Sequence, residues 1–416
     1  MHNLPERDAW LAAKSSGGLI SEYVIRCGQM RHRFKAVDVL RSAAAFSGVL
    51  MSASVLADIA LSPGLDFVGD LRGGYYSAKW EDRDGSNDAH DQLIGRIRGG
   101  LNWKPSGQLA GTVRLAGRYS TQNNHSRFEF FDSIPDADGL RAGDSTVDEL
   151  FLKYTPSSRW EVSVGRLQTA FELAGVAGGS LDRSDSPDVD ITWTDGAHVS
   201  YLTGTGWNWH VIAQRNASAG ATNVRLPPLT FADSGSRVSY FAALESLERY
   251  GPLVQRTLDI NYLPRALGTG GPQGRVLDYL AFVGRLAAQW ATGPGDAKLL
   301  LGTELGYAPR TPDAATIGTG SSGSTGGLAW QIQLSILDLF PGHSFAVQHG
   351  RADAGWLISP DFRNNEVLSE FRYEWKIDDR QTFTARARRR DEMDGLVDAA
   401  RKRRDDDLFL RYAFRF

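Results

Sequence analysis

The stretch Arg404 to Phe416 alternates with period two. Phe416, Phe414, Tyr412, Leu410 and Leu408 share one face, and Arg415, Ala413, Arg411, Phe409 and Asp407 the other. A half-buried strand of any sheet does this, so the pattern constrains the fold only if it recurs. It does. From Leu65 onward the chain divides into sixteen alternating segments, with eight long polar loops taking strict turns with seven short connectors. Lys104-Pro105-Ser106-Gly107, Pro156-Ser157-Ser158 and Thr203-Gly204-Thr205-Gly206 typify the short connectors and have the composition of tight turns. Residues 120–146, 215–235 and 308–327 typify the long ones. An even strand number with short turns at one end and long loops at the other predicts an all-β fold, a transmembrane antiparallel β-barrel of about 16 strands with periplasmic turns and extracellular loops. Closure also removes the unpaired edges that an open sheet would expose.

Bulk properties agree. The mean hydropathy of the 416 residues is −0.31, and no apolar run long enough for a spanning helix follows residue 58. A barrel strand escapes that requirement because its lumen face is polar and about ten alternating residues cross the bilayer. A net charge of −3 leaves no nucleic-acid footprint. Arg31-His32-Arg33-Phe34-Lys35, then the apolar Ala43 to Leu56, then small residues before a cut after Ala57, have the order of an export signal. Residues 30–57 are therefore expected to be a signal peptide and 58–416 the barrel. Residues 1–29 fit neither pattern and are expected to be an extension ahead of a true start at Met30. The one cysteine, Cys27, lies in that extension.

The aromatics check the topology independently. Trp103, Tyr154, Trp160, Trp207, Trp209, Trp290, Phe340, Trp375 and Phe416 fall near the short-turn end. Trp80, Tyr119, Trp193, Tyr262, Tyr307 and Trp330 fall near the loop end, giving two girdles at two bilayer interfaces. Arg386, Arg388 and Arg390 share a face, and an arginine turned to mid-bilayer lipid costs roughly 2–4 kcal/mol. They must face the lumen, because a one-residue slip would turn all three outward. Arg389 is then placed at the rim. Arg166 and Arg256 fall on the lipid face by parity, which a bulge or an interfacial position would accommodate.

The lumen arginines form a pattern. Arg72, Arg96, Arg98, Arg114 and Arg118 come from the first three strands, and Arg372, Arg386, Arg388, Arg390 and Arg411 from the last three. Closure makes these neighbours, so they belong to one basic arc of wall, with Asp70, Glu370, Glu374 and Asp407 as nearby partners. Other chemistry is weaker. Asp82 to Asp88 has oxygen ligands but no distal glutamate, so a solvated turn is expected rather than a cation loop. His198, Ser200 and His210 point inward by parity, which disfavours a lipid-facing hydrolase. His343 and His349 lack a grouped carboxylate. No catalytic residue, metal or cofactor is assigned.

A chain whose last strand stops on Phe416 after Phe414 and Tyr412 resembles the bacterial outer-membrane barrels, in which such residues signal the barrel assembly machinery. The whole pattern resembles a sixteen-stranded bacterial porin, closest to the phosphate- and pyrophosphate-selective porins. In general porins the third outer loop folds inward and sets acids against a wall of arginines. The connector Leu167 to Asp190, carrying Glu172, Asp182, Asp185, Asp188 and Asp190, matches that loop by position but lacks its short aromatic motif. The resemblance implies a homotrimer in outer-membrane lipid and an ion-transporting pore passing small hydrophilic solutes, and the one-sided basic arc is expected to give that pore an anion preference. Alternatives are an export channel for an anionic polysaccharide, a structural or adhesive barrel with a plugged lumen, and a barrel enzyme.

Overall fold

The computed structural model describes residues 59–121, 145–184, 193–216, 237–268, 276–292, 295–320 and 322–416. The expected leader and extension, and Asp185, Asp188 and Asp190, lie outside the described residues. The strands are β1 (Ile59–Ser62), β2 (Leu65–Glu81), β3 (Asn87–Trp103), β4 (Leu109–Ser120), β5 (Ser145–Ser157) and β6 (Trp160–Leu167). They continue as β7 (Thr194–Leu202), β8 (Asn208–Asn216), β9 (Arg237–Ser246), β10 (Leu253–Gly268), β11 (Val276–Ala291) and β12 (Lys298–Tyr307). The last are β13 (Leu328–Phe340), β14 (His343–Ala352), β15 (Glu366–Lys376), β16 (Gln381–Glu392) and β17 (Arg404–Arg415). A single helical turn, α1 (Ala314–Ile317), interrupts the loop before β13.

From β2 to β17 each strand pairs antiparallel with the next, and β17 returns to β2 with Arg415 opposite Asp70 and Arg404 opposite Glu81. The sheet is closed. The short β1, absent from the sequence expectation, pairs with the start of β2 and takes up the edge that β17 leaves free beyond Phe416. Phe416 and Gly69 exchange backbone hydrogen bonds of 2.7 and 2.9 Å, and the Phe416 ring stacks on Phe67. A side chain at position 69 would collide with that ring, which explains the glycine. The first outer loop is shorter than expected because β2 runs to Glu81 and β3 begins at Asn87. Asp82 and Asp84 are used inside this turn, accepting from the backbone N–H groups of Arg83 and Ser86. Hydrogen bonds from Ser86 hold the Asp84 carboxyl below its usual value.

Burial inverts the soluble pattern. On β3, Leu93, Ile97, Leu101 and Trp103 are 40–46% exposed, whereas Arg96 and Arg98 between them are 2% and 8% exposed. Only an apolar environment outside and a polar one inside make that arrangement favourable. Trp103, Tyr154, Trp160, Trp209, Trp290, Phe340 and Trp375 are exposed at the turn end, and Tyr262 and Tyr307 at the loop end.

Trp193 departs from its expected girdle position. It is buried against Ala116, with the Arg166 guanidinium 4.5 Å above its ring. The two arginines with lipid-face parity are both explained by the interfaces. Arg166, near the loop end of β6, pairs with Asp195 at 2.7 and 3.0 Å. Arg256, near the turn end of β10, lies over Trp207 and Tyr250 and donates to Ser246 Oγ.

Candidate functional site

The lumen has two dissimilar walls. Along β2 to β4 and β15 to β17 the inward positions carry the ten arginines of the arc, and strand pairing makes their neighbourhood continuous. Arg72, Arg96 and Arg118 stand opposite one another on adjacent strands, as do Arg372 and Arg386. Like charges so placed repel, and the carboxylates at the next level offset this. Asp70 accepts from Arg98 and lies 3.4 Å from Arg96 and 3.7 Å from Arg72. Asp148 holds Arg114 at 2.8 Å and Arg98 at 3.5 Å, and Glu149 lies 3.1 Å from Arg114. Glu370 bridges Arg372 and Arg388 at 2.6 and 2.7 Å, and Asp407 bridges Arg386 and Arg390 at 2.9 and 3.5 Å. Arg411 donates to Thr384 Oγ1 at 3.1 Å. Eight arginines thus share five carboxylates, a local excess of positive charge, while Glu366, Glu392 and Asp405 lie on the same inward face nearer the loops and pair with Arg403, Arg83 and Arg363. Three of the four acids named from sequence, Asp70, Glu370 and Asp407, are among the five.

The opposite wall, β8 to β14, presents amides, hydroxyls, apolar side chains and one enclosed ionic cluster, and two loops lie upon it. The first leaves β6 and runs from Gln168 to Ser184. Its Ala174 N–H donates to Gln255 Oε1 and its Val176 N–H to Ser335 Oγ, while Gln333 donates to the Ala174 carbonyl. Side chains at Gly175 and Gly179 would collide with Gln333 and Gln348, so the backbone can lie directly on the wall. The Arg372 guanidinium reaches the Val176 carbonyl at 3.5 Å, which brings this loop to the edge of the arc.

The second loop, residues 353–365 between β14 and β15, was not expected to turn inward. Trp356, Ile358, Phe362 and Leu357 are buried with Leu181 against Tyr279, Val283 and the alanines of β11 to β14. Trp356 Nε1 donates to the Leu181 carbonyl at 2.9 Å, Ser359 Oγ to the Ser180 carbonyl at 2.8 Å, and the Ser180 N–H to Asp361 at 2.9 Å. The two loops pack as one body. A signal existed in the sequence: β11 is apolar on both faces, with Tyr279, Ala281 and Val283 inward and Leu280 and Phe282 outward, which a water-facing lumen wall would not be.

Asp182 of the first loop does not face the arc. Asp182 instead ion-pairs with Arg285 of β11, which also contacts Asp259 and, through Nε at 2.7 Å, Glu304. All four side chains are fully enclosed. The Leu181 N–H donates to both Glu304 oxygens at 3.1 Å, and Asn261 donates to Asp182. A carboxylate that can reach a buried guanidinium on the near wall does not cross the lumen to one already paired. Glu172 lies at the foot of the loop, where its carbonyl accepts from Gln255 at 2.8 Å. Arg183 donates to Thr169, Thr194 and Gln214. Burial pushes its guanidinium down to about 10, against the opposing pull of Asp182 and Asp259.

His198 and His210 meet at 3.0 Å between Nε2 and Nδ1, and His210 Nε2 lies 3.6 Å from Glu245. Both His210 nitrogens are turned to these partners and neither to Ser200, its cross-strand neighbour. Among the described residues no group of three or more potential ligands could hold a metal ion.

No protein-family model matches the chain, and no curated protein matches it in sequence. Solved structures do match. OprB of Pseudomonas putida is 13% identical, with a TM-score of 0.56 over 85% of this chain and 94% of that one. OpdL of Pseudomonas aeruginosa is also 13% identical, with a TM-score of 0.50 over 85% of this chain and 100% of that one. The barrel has the fold of the outer-membrane porins. At this identity the likeness is one of architecture, and it says nothing of what passes through.

Proposed function

We propose that the chain is a bacterial outer-membrane porin that passes small hydrophilic solutes by diffusion and favours anions such as phosphate. The observation that carries the preference is the division of the lumen. The wall of β8 to β14 is covered by docked loops, whereas the first loop meets the guanidinium-rich arc of β2 to β4 and β15 to β17 at its edge, where Arg372 reaches the Val176 carbonyl. Eight arginines sharing five carboxylates make that stretch of the lining locally positive, and a one-sided lining in a narrow, low-dielectric passage selects for counter-charge.

Reversal potentials in a planar bilayer under a salt gradient test this reading. Anion preference is expected, and substitution of Arg386→Glu together with Arg388→Glu should shift the reversal potential towards cations. A cation preference in the unaltered protein would overturn the anion reading. A lumen that carries no current would overturn the porin reading itself, in favour of a plugged structural barrel.

A further inference from the structure

At the foot of the first inward loop the wall carries a pair of imidazoles that the arginine arc does not use. His198 of β7 and His210 of β8 lie on neighbouring strands, with Ser163 and Ile212 opposite His198 and Ser200 and Ala243 opposite His210. Their rings stack with centroids 5.3 Å apart, and His198 Nε2 lies 3.0 Å from His210 Nδ1. His210 is only 8% exposed. Phe171, at the start of the loop, meets the His210 ring edge-on at 5.0 Å and packs on Phe241 at 4.6 Å. The Phe171 N–H closes the foot by donating to the Arg183 carbonyl at 2.9 Å.

Charges reach the pair from several elements. Glu245 of β9 lies 3.6 Å from His210 Nε2. Glu161 of β6, opposite Ser200, pairs with Lys153 of β5 at 2.9 Å. Arg183 and Lys153 act against a positive charge on His198, and Glu161 acts in its favour. On β10, Thr257 stands opposite Glu245, and Asp259 is held by Arg285. Glu172, next to Phe171, turns its carboxylate towards Gly178.

A contact of 3.0 Å between two ring nitrogens holds one proton, with one imidazole donating and the other accepting. A carboxylate faces His210 Nε2, so that nitrogen carries a hydrogen and Nδ1 accepts from His198 Nε2–H. One more proton can be taken at His198 Nδ1 without breaking this bond. A proton on His210 Nδ1 cannot, because two N–H groups would then point at each other between two cationic rings. The imidazoles must part, and His210 takes with it a surface on which Phe171 rests.

We propose that His198 and His210 form a proton-operated latch for the first inward loop. While one proton is shared between the rings, Phe171 is seated and the foot is closed. When both rings are charged they separate and the foot opens. As a device that alters current, the latch rests on the porin reading, whereas the movement of the loop does not.

The test records the full barrel in planar bilayers between about pH 7.5 and about pH 4.5, which brackets the range in which imidazoles titrate. Acidification should raise the frequency of transitions between conductance levels roughly ten-fold, as a loop released from its seat samples more than one position. His210→Phe keeps a ring against Phe171 but has no proton to share, and should abolish the response. His198→Gln should abolish it too, because an amide turns from donor to acceptor when His210 is charged. His343→Phe, on the outer face of β14, should leave it intact. Amide exchange of residues 168–184, corrected for the intrinsic effect of pH, should rise with acid in the unaltered protein and in neither latch variant. Heat-resistant migration on gels confirms that each variant is folded. An acid response that persists in both latch variants, or exchange in this loop that is the same in all three proteins, would overturn the latch. A barrel that carries no current would overturn the porin reading instead, and the exchange measurement would then decide the latch by itself.

Discussion

Arg285 of β11 holds Asp182 of the first inward loop, and the same guanidinium is held by Asp259 and Glu304 on the strands either side. The loop is thereby fastened at a point with no access to water. Removing one partner of such a buried pair leaves an uncompensated charge and costs roughly 3–5 kcal/mol, more than a short docked loop can retain. Arg285→Gln and Asp182→Asn are both expected to release the loop from the wall. Single-channel recordings should show higher conductance and more frequent transitions between levels, and residues 168–184 should become accessible to protease. Traces identical to the unaltered channel would show that the loop is held without this ion pair, by its hydrogen bonds to Gln255, Gln333 and Ser335 and its packing on the second loop.

The second loop depends on shape rather than charge. A β-carbon at Gly306 would lie 2.5 Å from the Trp356 ring, and the ring, enclosed on all sides, has nowhere to move. Gly306→Ala should therefore displace Trp356, and Trp356→Ala should leave a void costing roughly 3–5 kcal/mol. Both variants should raise conductance without altering the sign of selectivity, because neither touches the arginines. A change in ion preference would mean that this loop itself lines the path.

Much of the fold is legible in the alternation, because one buried polar face and one lipid-facing apolar face specify register at every strand. The closure of the last strand on the first needed nothing more than an even count and neighbouring ends, whereas the register that sets Arg415 opposite Asp70 came from the structure. The paths of the loops were less legible. Asp182 looks the same in the sequence whether it crosses the lumen to Arg386 or turns back to Arg285, and the choice depends on which guanidinium is already satisfied. Gln331, Gln333 and Gln348 likewise alternate as any lumen residues do. Only their combination with Tyr279, Ala281 and Val283, apolar where water was expected, marks a wall that something covers.

Within the arc, acids and bases should act with opposite sign. Glu370 holds Arg372 and Arg388, so Glu370→Gln removes a negative charge from between two positive ones and should raise the anion-to-cation permeability ratio. Arg372→Gln should lower it. The two effects should shrink together as salt rises, since the Debye length falls from about 10 Å at 0.1 M to about 3 Å at 1 M. Shifts of the same sign in both variants would show that altered pore shape, not charge, governs selection.

The inside-out burial of β3 makes a prediction about assembly that does not involve transport. Leu101 and Arg98 are three residues apart, one 40% exposed on the outer face and the other 8% exposed on the inner. Leu101→Arg places a guanidinium in the apolar belt, at a cost of roughly 2–4 kcal/mol at mid-bilayer and less towards an interface. Leu101→Ala forfeits only the apolar contact with lipid. In equilibrium folding into phosphatidylcholine vesicles the arginine variant should be the more destabilised, and in detergent micelles, whose surface deforms around a charge, the difference between the two should narrow. If Leu101→Arg folded into vesicles as readily as Leu101→Ala, the outward face of β3 would not be meeting hydrocarbon, and the lumen assignment of Arg96 and Arg98 would lose its physical basis.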